Sequence, residues 1–112
     1  MSLTRDPSEI LKVHQEKLKV IKCALFDVDG ILTNGLVYYS GKEMGWNRYF
    51  NIYDGYGLKL LMQNNIQVGI ISGGDSEGLK KRFVENLNIP GEMCFLGDEN
   101  KLFAYKKIKQ DL

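Results

Sequence analysis

Ile21-Lys22-Cys23-Ala24-Leu25-Phe26-Asp27-Val28-Asp29-Gly30-Ile31-Leu32-Thr33-Asn34-Gly35 is the stretch on which the fold turns. Its apolar residues, Ile21, Cys23 to Phe26 and Val28, are nearly continuous. That suits a strand buried on both faces of a parallel sheet rather than a half-exposed antiparallel one. The strand ends in two carboxylates and a glycine. Open α/β sheets bind ligands at the carboxyl ends of their strands, so Asp27 and Asp29 stand at the mouth of the expected site.

Side chains alternate along a strand, so Asp27 and Asp29 share one side, and Gly30 lets the backbone turn sharply just past them. Two neighbouring carboxylates repel. A cation must offset that charge, either a divalent metal or a lysine; hard oxygen donors with no supporting His or Cys cluster favour Mg²⁺ over zinc. One acid then stays ionised as a nucleophile while the other keeps or receives a proton as general acid/base. The plainer alternative is an acidic strand end before a turn, because Asp and Gly are ordinary turn residues.

The chain has 112 residues, enough for one core but few for a complete doubly wound sheet. A net charge of +1 and a pI near 7.7 give no broad electrostatic footprint for nucleic acid or an anionic membrane, so any anion must be held locally. No stretch approaches transmembrane length and Met1 to Pro7 has no apolar signal core, so a cytoplasmic location is expected. Cys23 and Cys94 fall in different predicted strands, without metal-type spacing, and are expected as reduced core thiols.

Upstream, Asp6-Pro7-Ser8-Glu9 reads as a helix start, with Asp6 as N-cap and Glu9 at the capping-box position, and the helix is expected to reach about Lys19. Ile10, His14 and Leu18, with Leu11, form its narrow apolar stripe; His14 is read as a packed or surface side chain. Downstream, Leu36 to Tyr39 and Trp46 to Phe50 predict an aromatic β-hairpin within residues 36–50, which needs a surface to pack on. Asp54-Gly55-Tyr56-Gly57 interrupts the pattern, after which Leu58, Leu61 and Met62 mark a short helix that Asp54 could cap. Gln67 to Ile71 is a second buried parallel strand, ending in Ser72-Gly73-Gly74-Asp75 before a helix. A hydroxyl placed there can donate to a phosphoryl oxygen without adding negative charge. In the next helix Leu79, Phe83, Val84 and Leu87 form the apolar face and Arg82 lies off it. Met93 to Leu96 predicts the third strand, and Gly97-Asp98-Glu99-Asn100-Lys101 leads into a last helix bearing Leu102, Phe103, Ala104 and Ile108.

Phe26-Asp27-Val28-Asp29-Gly30-Ile31-Leu32-Thr33 resembles the first motif of the haloacid dehalogenase superfamily of aspartate-nucleophile phosphatases. With Thr33 to Gly35, Asn51 to Lys59, Ile70 to Gly73 and Gly97 to Leu102 following in order, the chain is similar to the 3-deoxy-D-manno-octulosonate 8-phosphate phosphatase family from about Ile21 onward. The resemblance implies an α/β, Rossmann-like haloacid dehalogenase fold: a parallel sheet with helices on both faces and an inserted β-hairpin, with residues 1–112 as the N-terminal part of a single domain. It implies a Mg²⁺-dependent phosphomonoesterase of lipopolysaccharide biosynthesis, working on a small-molecule sugar acid phosphate through an aspartyl-phosphate. In that reading Asp27 is the nucleophile and Asp29 the acid/base, both are metal ligands, and Ser72 and Lys101 hold the phosphoryl oxygens. Asn51, Ile52, Tyr53, Asp54, Gly55, Lys59, Gly73 and Arg82 would stand against the substrate, and the hairpin would build a homotetramer. Tyr53 and Gly74 stand where family members often carry Arg.

An acylneuraminate 9-phosphate phosphatase, or a non-catalytic phosphatase-like oligomerisation module, has the same layout. The family's fourth motif, whose acids complete the Mg²⁺ shell, is expected beyond the last helix. Gly97-Asp98 does not serve as that motif, because Leu102 and Phe103 stand where its second acid belongs. A fragment or truncated product is therefore expected: three strands in the order 3-2-1, with the first strand at an edge.

Overall fold

The computed structural model describes residues 6–112. In chain order the elements are α1 (Pro7–Lys19), β1 (Cys23–Phe26), β2 (Tyr38–Tyr39), α2 (Gly41–Met44), β3 (Trp46–Asn47) and α3 (Ile52–Gln63). β4 (Gln67–Ser72), α4 (Glu77–Lys80), β5 (Cys94–Leu96) and α5 (Lys101–Asp111) follow. α4 runs on into a wider π-helical stretch, Lys81–Asn86. β1, β4 and β5 form a parallel sheet in the order β1-β4-β5, so the first strand is at an edge as the family topology implies.

β4 is the centre of the molecule. Phe26 pairs with Ile70 on one side and Ile70 with Cys94 on the other. Val68 and Ile70 face one side of the sheet, Gly69 and Ile71 the other, and all four are buried, so both faces are covered. The covering side chains are Leu58 of α3, Leu79 of α4, Phe83 and Leu87 just beyond it, and Ala104 and Ile108 of α5. Burying each large aliphatic or aromatic side chain contributes roughly 1.5–3 kcal/mol, and these contacts hold the helices on the sheet.

Five expectations need correction. β1 is half-buried along its whole length rather than buried on both faces, because an edge strand has a neighbour on one side only. The hairpin is shorter than residues 36–50: β2 and β3 pair through Tyr38–Asn47 and Tyr39–Trp46, and the connection between them is the helical turn α2. α3 begins at Ile52 and runs straight through Gly55 and Gly57, capped by Asn51, whose side chain accepts the Tyr53 N–H, and not by Asp54. Gly55 is there for close packing: a Cβ would lie 2.6 Å from Arg82 Nη2. Leu102 and Phe103 point outward from α5, which buries only Ala104 and Ile108.

The fifth correction concerns α1. Its start follows the sequence, since the Asp6 side chain accepts the Ser8 N–H and Pro7 opens the first turn. Its apolar stripe is not covered, however: no α1 residue is buried, and backbone angles at His14 interrupt the helix.

Candidate active site

The parallel sheet brings the carboxyl ends of β1, β4 and β5 to one side of the molecule. Extending the β1–β4 register past Phe26 and Ile70 sets Asp27 and Val28 level with Ile71 and Ser72. Val28 is fully buried, whereas the Asp27 and Asp29 side chains are 39% and 43% exposed. Beyond them the chain turns through Gly30 and Gly35, at φ of 79° and 84°, a backbone region glycine adopts without strain. Thr33 ties the turn, its hydroxyl accepting the N–H groups of both glycines at 3.2 Å.

Each acid has its own cation. Lys101, the first residue of α5, places Nζ 3.0 Å from Asp27 Oδ2, while Asp27 Oδ1 accepts the Val28 N–H at 2.8 Å. Asp29 is gripped by the fork of Arg48, Nε donating to Oδ1 at 2.8 Å and Nη2 to Oδ2 at 3.3 Å. Sequence reasoning missed Arg48. The one signal for it was a lone charge amid Trp46, Tyr49 and Phe50, which motif spacing does not weigh.

The β4 loop is closed against the β5 loop. Gly97 N–H donates to the Gly74 carbonyl and Asp98 N–H to the Ser72 carbonyl, which fixes the approach to Lys101. The Ser72 hydroxyl is 1% exposed and accepts the Gly74 N–H at 3.1 Å, so it faces its own loop rather than open solvent. Gly73 is exposed beside it.

The other expected contact residues divide between two clefts. One, of about 350 Å³, is lined by Thr33, Asn34, Tyr49, Phe50, Asn51 and Asp54. The second, of about 220 Å³, holds Ile52, Gly55, Lys59 and Arg82 among its lining. Tyr53 points outward and is 78% exposed. Arg82 is not a free surface charge: Nη2 donates to the Asn51 carbonyl, Nη1 to Asn86 Oδ1, and the guanidinium lies 5.6 Å from the Phe50 ring centre. A larger cleft of about 420 Å³, bounded by Gln67, Val68 and Met93, lies at the amino ends of the strands, away from the acids.

Asp27 and Asp29 offer the hard oxygens that Mg²⁺ prefers, and Mg²⁺ is commonly bound through one or two carboxylates, substrate phosphate and water. The donor chemistry fits such a minimal site. Among the described residues no group of three or more His, Cys, Asp or Glu is placed to hold a metal, so a fuller protein cage is absent there. The thiols take no part: burial, with the Glu92 charge adding to it, pushes Cys94 up to about 11, and burial also raises Cys23.

No family model matches the chain. Its sequence is 40% identical over 97 residues to 3-deoxy-D-manno-octulosonate 8-phosphate phosphatase from Haemophilus influenzae, an alignment covering 86% of this chain and 52% of that protein. The cobalt-bound structure of the Haemophilus influenzae phosphatase superposes with a TM-score of 0.70 at 38% identity, over 85% of this chain and 54% of that one. The Moraxella catarrhalis phosphatase, in complex with magnesium, phosphate and the sugar acid KDO, gives 0.74 at 32% identity, over 91% and 56%.

A parallel sheet that ends in Asp-x-Asp-Gly, with a lysine returned to the first acid, gives this chain the haloacid dehalogenase fold of these neighbours. Over the residues it has, it is similar to 3-deoxy-D-manno-octulosonate 8-phosphate phosphatases. The chain spans about half the length of the curated relatives it matches.

Proposed function

We propose that the chain carries the nucleophile half of a Mg²⁺-dependent phosphomonoesterase acting on 3-deoxy-D-manno-octulosonate 8-phosphate or a related keto sugar acid phosphate. The observation that supports this most is the Lys101–Asp27 contact at 3.0 Å beside Asp29. Lys101 comes from the far end of the chain, and its compact charge offsets that of the Asp27 carboxylate while leaving room for an anion beside it. Asp27 attacks phosphorus and the sugar alkoxide departs with a proton from Asp29. Water then attacks the aspartyl-phosphate, returning a proton to Asp29 and freeing phosphate and Asp27. Bound Mg²⁺, held by the Asp27 carboxylate and the Asp29 carbonyl, would neutralise charge on the phosphoryl oxygens.

Lys101 and the N–H groups of the Ser72–Gly74 loop hold those oxygens in this reading, with Ser72 supporting the loop. Asn51, Ile52, Asp54, Gly55, Lys59 and Arg82 line the clefts that would receive the sugar acid. The exposed aromatics of β2 and β3 would carry the homotetramer. Tyr53 and Gly74, standing where family members often carry Arg, favour a second reading, a non-catalytic oligomerisation module.

One experiment separates the two. The purified chain is incubated with Mg²⁺ and 3-deoxy-D-manno-octulosonate 8-phosphate, alongside Asp27→Asn and an EDTA control. Phosphate release lost in both supports the phosphatase; an inert chain of stable oligomeric mass supports the module.

A further inference from the structure

The geometry points to Arg48 as a positioning residue that ties the aromatic hairpin to Asp29, so that the seating of β2 and β3 sets where the second carboxylate stands. Arg48 is 8% exposed, which for a guanidinium requires that its donors be used. They are used on three separate segments. Nε and Nη2 hold both oxygens of Asp29, while Nη1 donates to the Trp46 carbonyl at 2.8 Å and to Ser76 Oγ at 3.0 Å. One side chain therefore joins the end of β1, the end of the hairpin and the loop that precedes α4.

The surroundings are shaped to accept it. A Cβ on Gly74 would lie 2.8 Å from Arg48 Nη2, and one on Gly78 would run into the Asn47 side chain beside it. Asn47 Oδ1 in turn accepts the Arg48 N–H at 2.9 Å, which fixes where the arginine leaves the backbone. A carboxylate has about four lone-pair sites, so a two-pronged guanidinium leaves sites free for a proton while removing the carboxylate's freedom to rotate. Asp29 precedes a glycine-flanked turn and makes no other side-chain hydrogen bond that would restrain it among those found in the described residues. Arg48 is what holds it.

This inference rests on the catalytic role proposed for Asp29, and its test has one readout that needs activity and one that does not. Phosphate release is measured with Mg²⁺ and 3-deoxy-D-manno-octulosonate 8-phosphate for the full chain, Arg48→Met, Arg48→Lys and Gly74→Ala. Misplacing a reacting group by about 1 Å costs on the order of a hundredfold, so Arg48→Met is expected to lower kcat by about that much with KM within about twofold. Arg48→Lys recovers only part, lacking the fork, and Gly74→Ala loses kcat while keeping the arginine. The second readout is hydrogen exchange across residues 38–48, expected to quicken in Arg48→Met and in Asp29→Asn alike. Wild-type kcat in both Arg48→Met and Gly74→Ala would overturn the inference, as would hairpin exchange unaltered by Asp29→Asn. If the wild-type chain releases no phosphate, the catalytic reading fails and the exchange measurement alone decides the Arg48 link. If Arg48→Met does not fold, Arg48→Lys and Gly74→Ala carry the test.

Discussion

Lys101 is half exposed, at 52%, and its pair with Asp27 crosses from the last helix to the first strand. Exposed pairs of this kind contribute about 0–1 kcal/mol to stability, since water and salt screen them. Lys101→Met should therefore lower urea-unfolding stability by less than about 1 kcal/mol. Phosphate release should nevertheless disappear if Lys101 serves the reaction. Stability falling sharply, with activity retained, would assign the lysine to the fold instead. At this scale the sequence was a good guide where a short motif carried the signal: Asp27, Asp29 and Lys101 all stand in recognisable strings. Arg48 stands in none, and its importance comes from burial and from a partner 19 residues away.

Among the elements, α1 depends on its own local interactions more than any other helix, because every one of its residues is exposed. The Ser8 backbone N–H, and secondarily its hydroxyl, hold the Asp6 carboxyl below its usual value. A carboxyl lowered in the folded helix stabilises it above the unfolded value and loses that contribution as pH falls through the folded one. Far-UV circular dichroism should thus show α1 fraying below about pH 4. Asp6→Asn, which still caps without a charge, should flatten that step relative to the wild type. An identical acid profile in the two chains would remove Asp6 from the account. α3 teaches the opposite lesson about glycine. Asp54-Gly55-Tyr56-Gly57 reads as a break, yet the helix continues through it because tertiary packing against Arg82 and Leu87 rewards the missing Cβ at Gly55.

For the molecule as a whole, exposed apolar surface lies in several places, the hairpin and α3 among them. Tyr39, Trp46 and Tyr49 are each more than half exposed on the hairpin side, as are Ile52, Tyr53 and Tyr56 on α3. The outer edge of β1 adds unpaired strand backbone. Such patches mark contact surfaces, and sedimentation should show the average mass rising with concentration. Trp46→Glu should shift that rise to higher concentration. A chain that stays monomeric at high concentration would remove the proposed tetramer.

The sequence by itself determined the parallel strands and the placing of two acids at a strand end, because those follow from local apolar runs and from short motifs; the strand order came from the family resemblance. It also placed the helix start at Asp6, whose cap involves neighbours only two residues apart. Tertiary structure alone decided that Arg48 grips Asp29, that Arg82 turns back onto the Asn51 carbonyl and that the Ser72 hydroxyl faces its own loop. These depend on which segments are folded against one another, and a donor's partner is chosen by proximity after folding rather than by spacing along the chain.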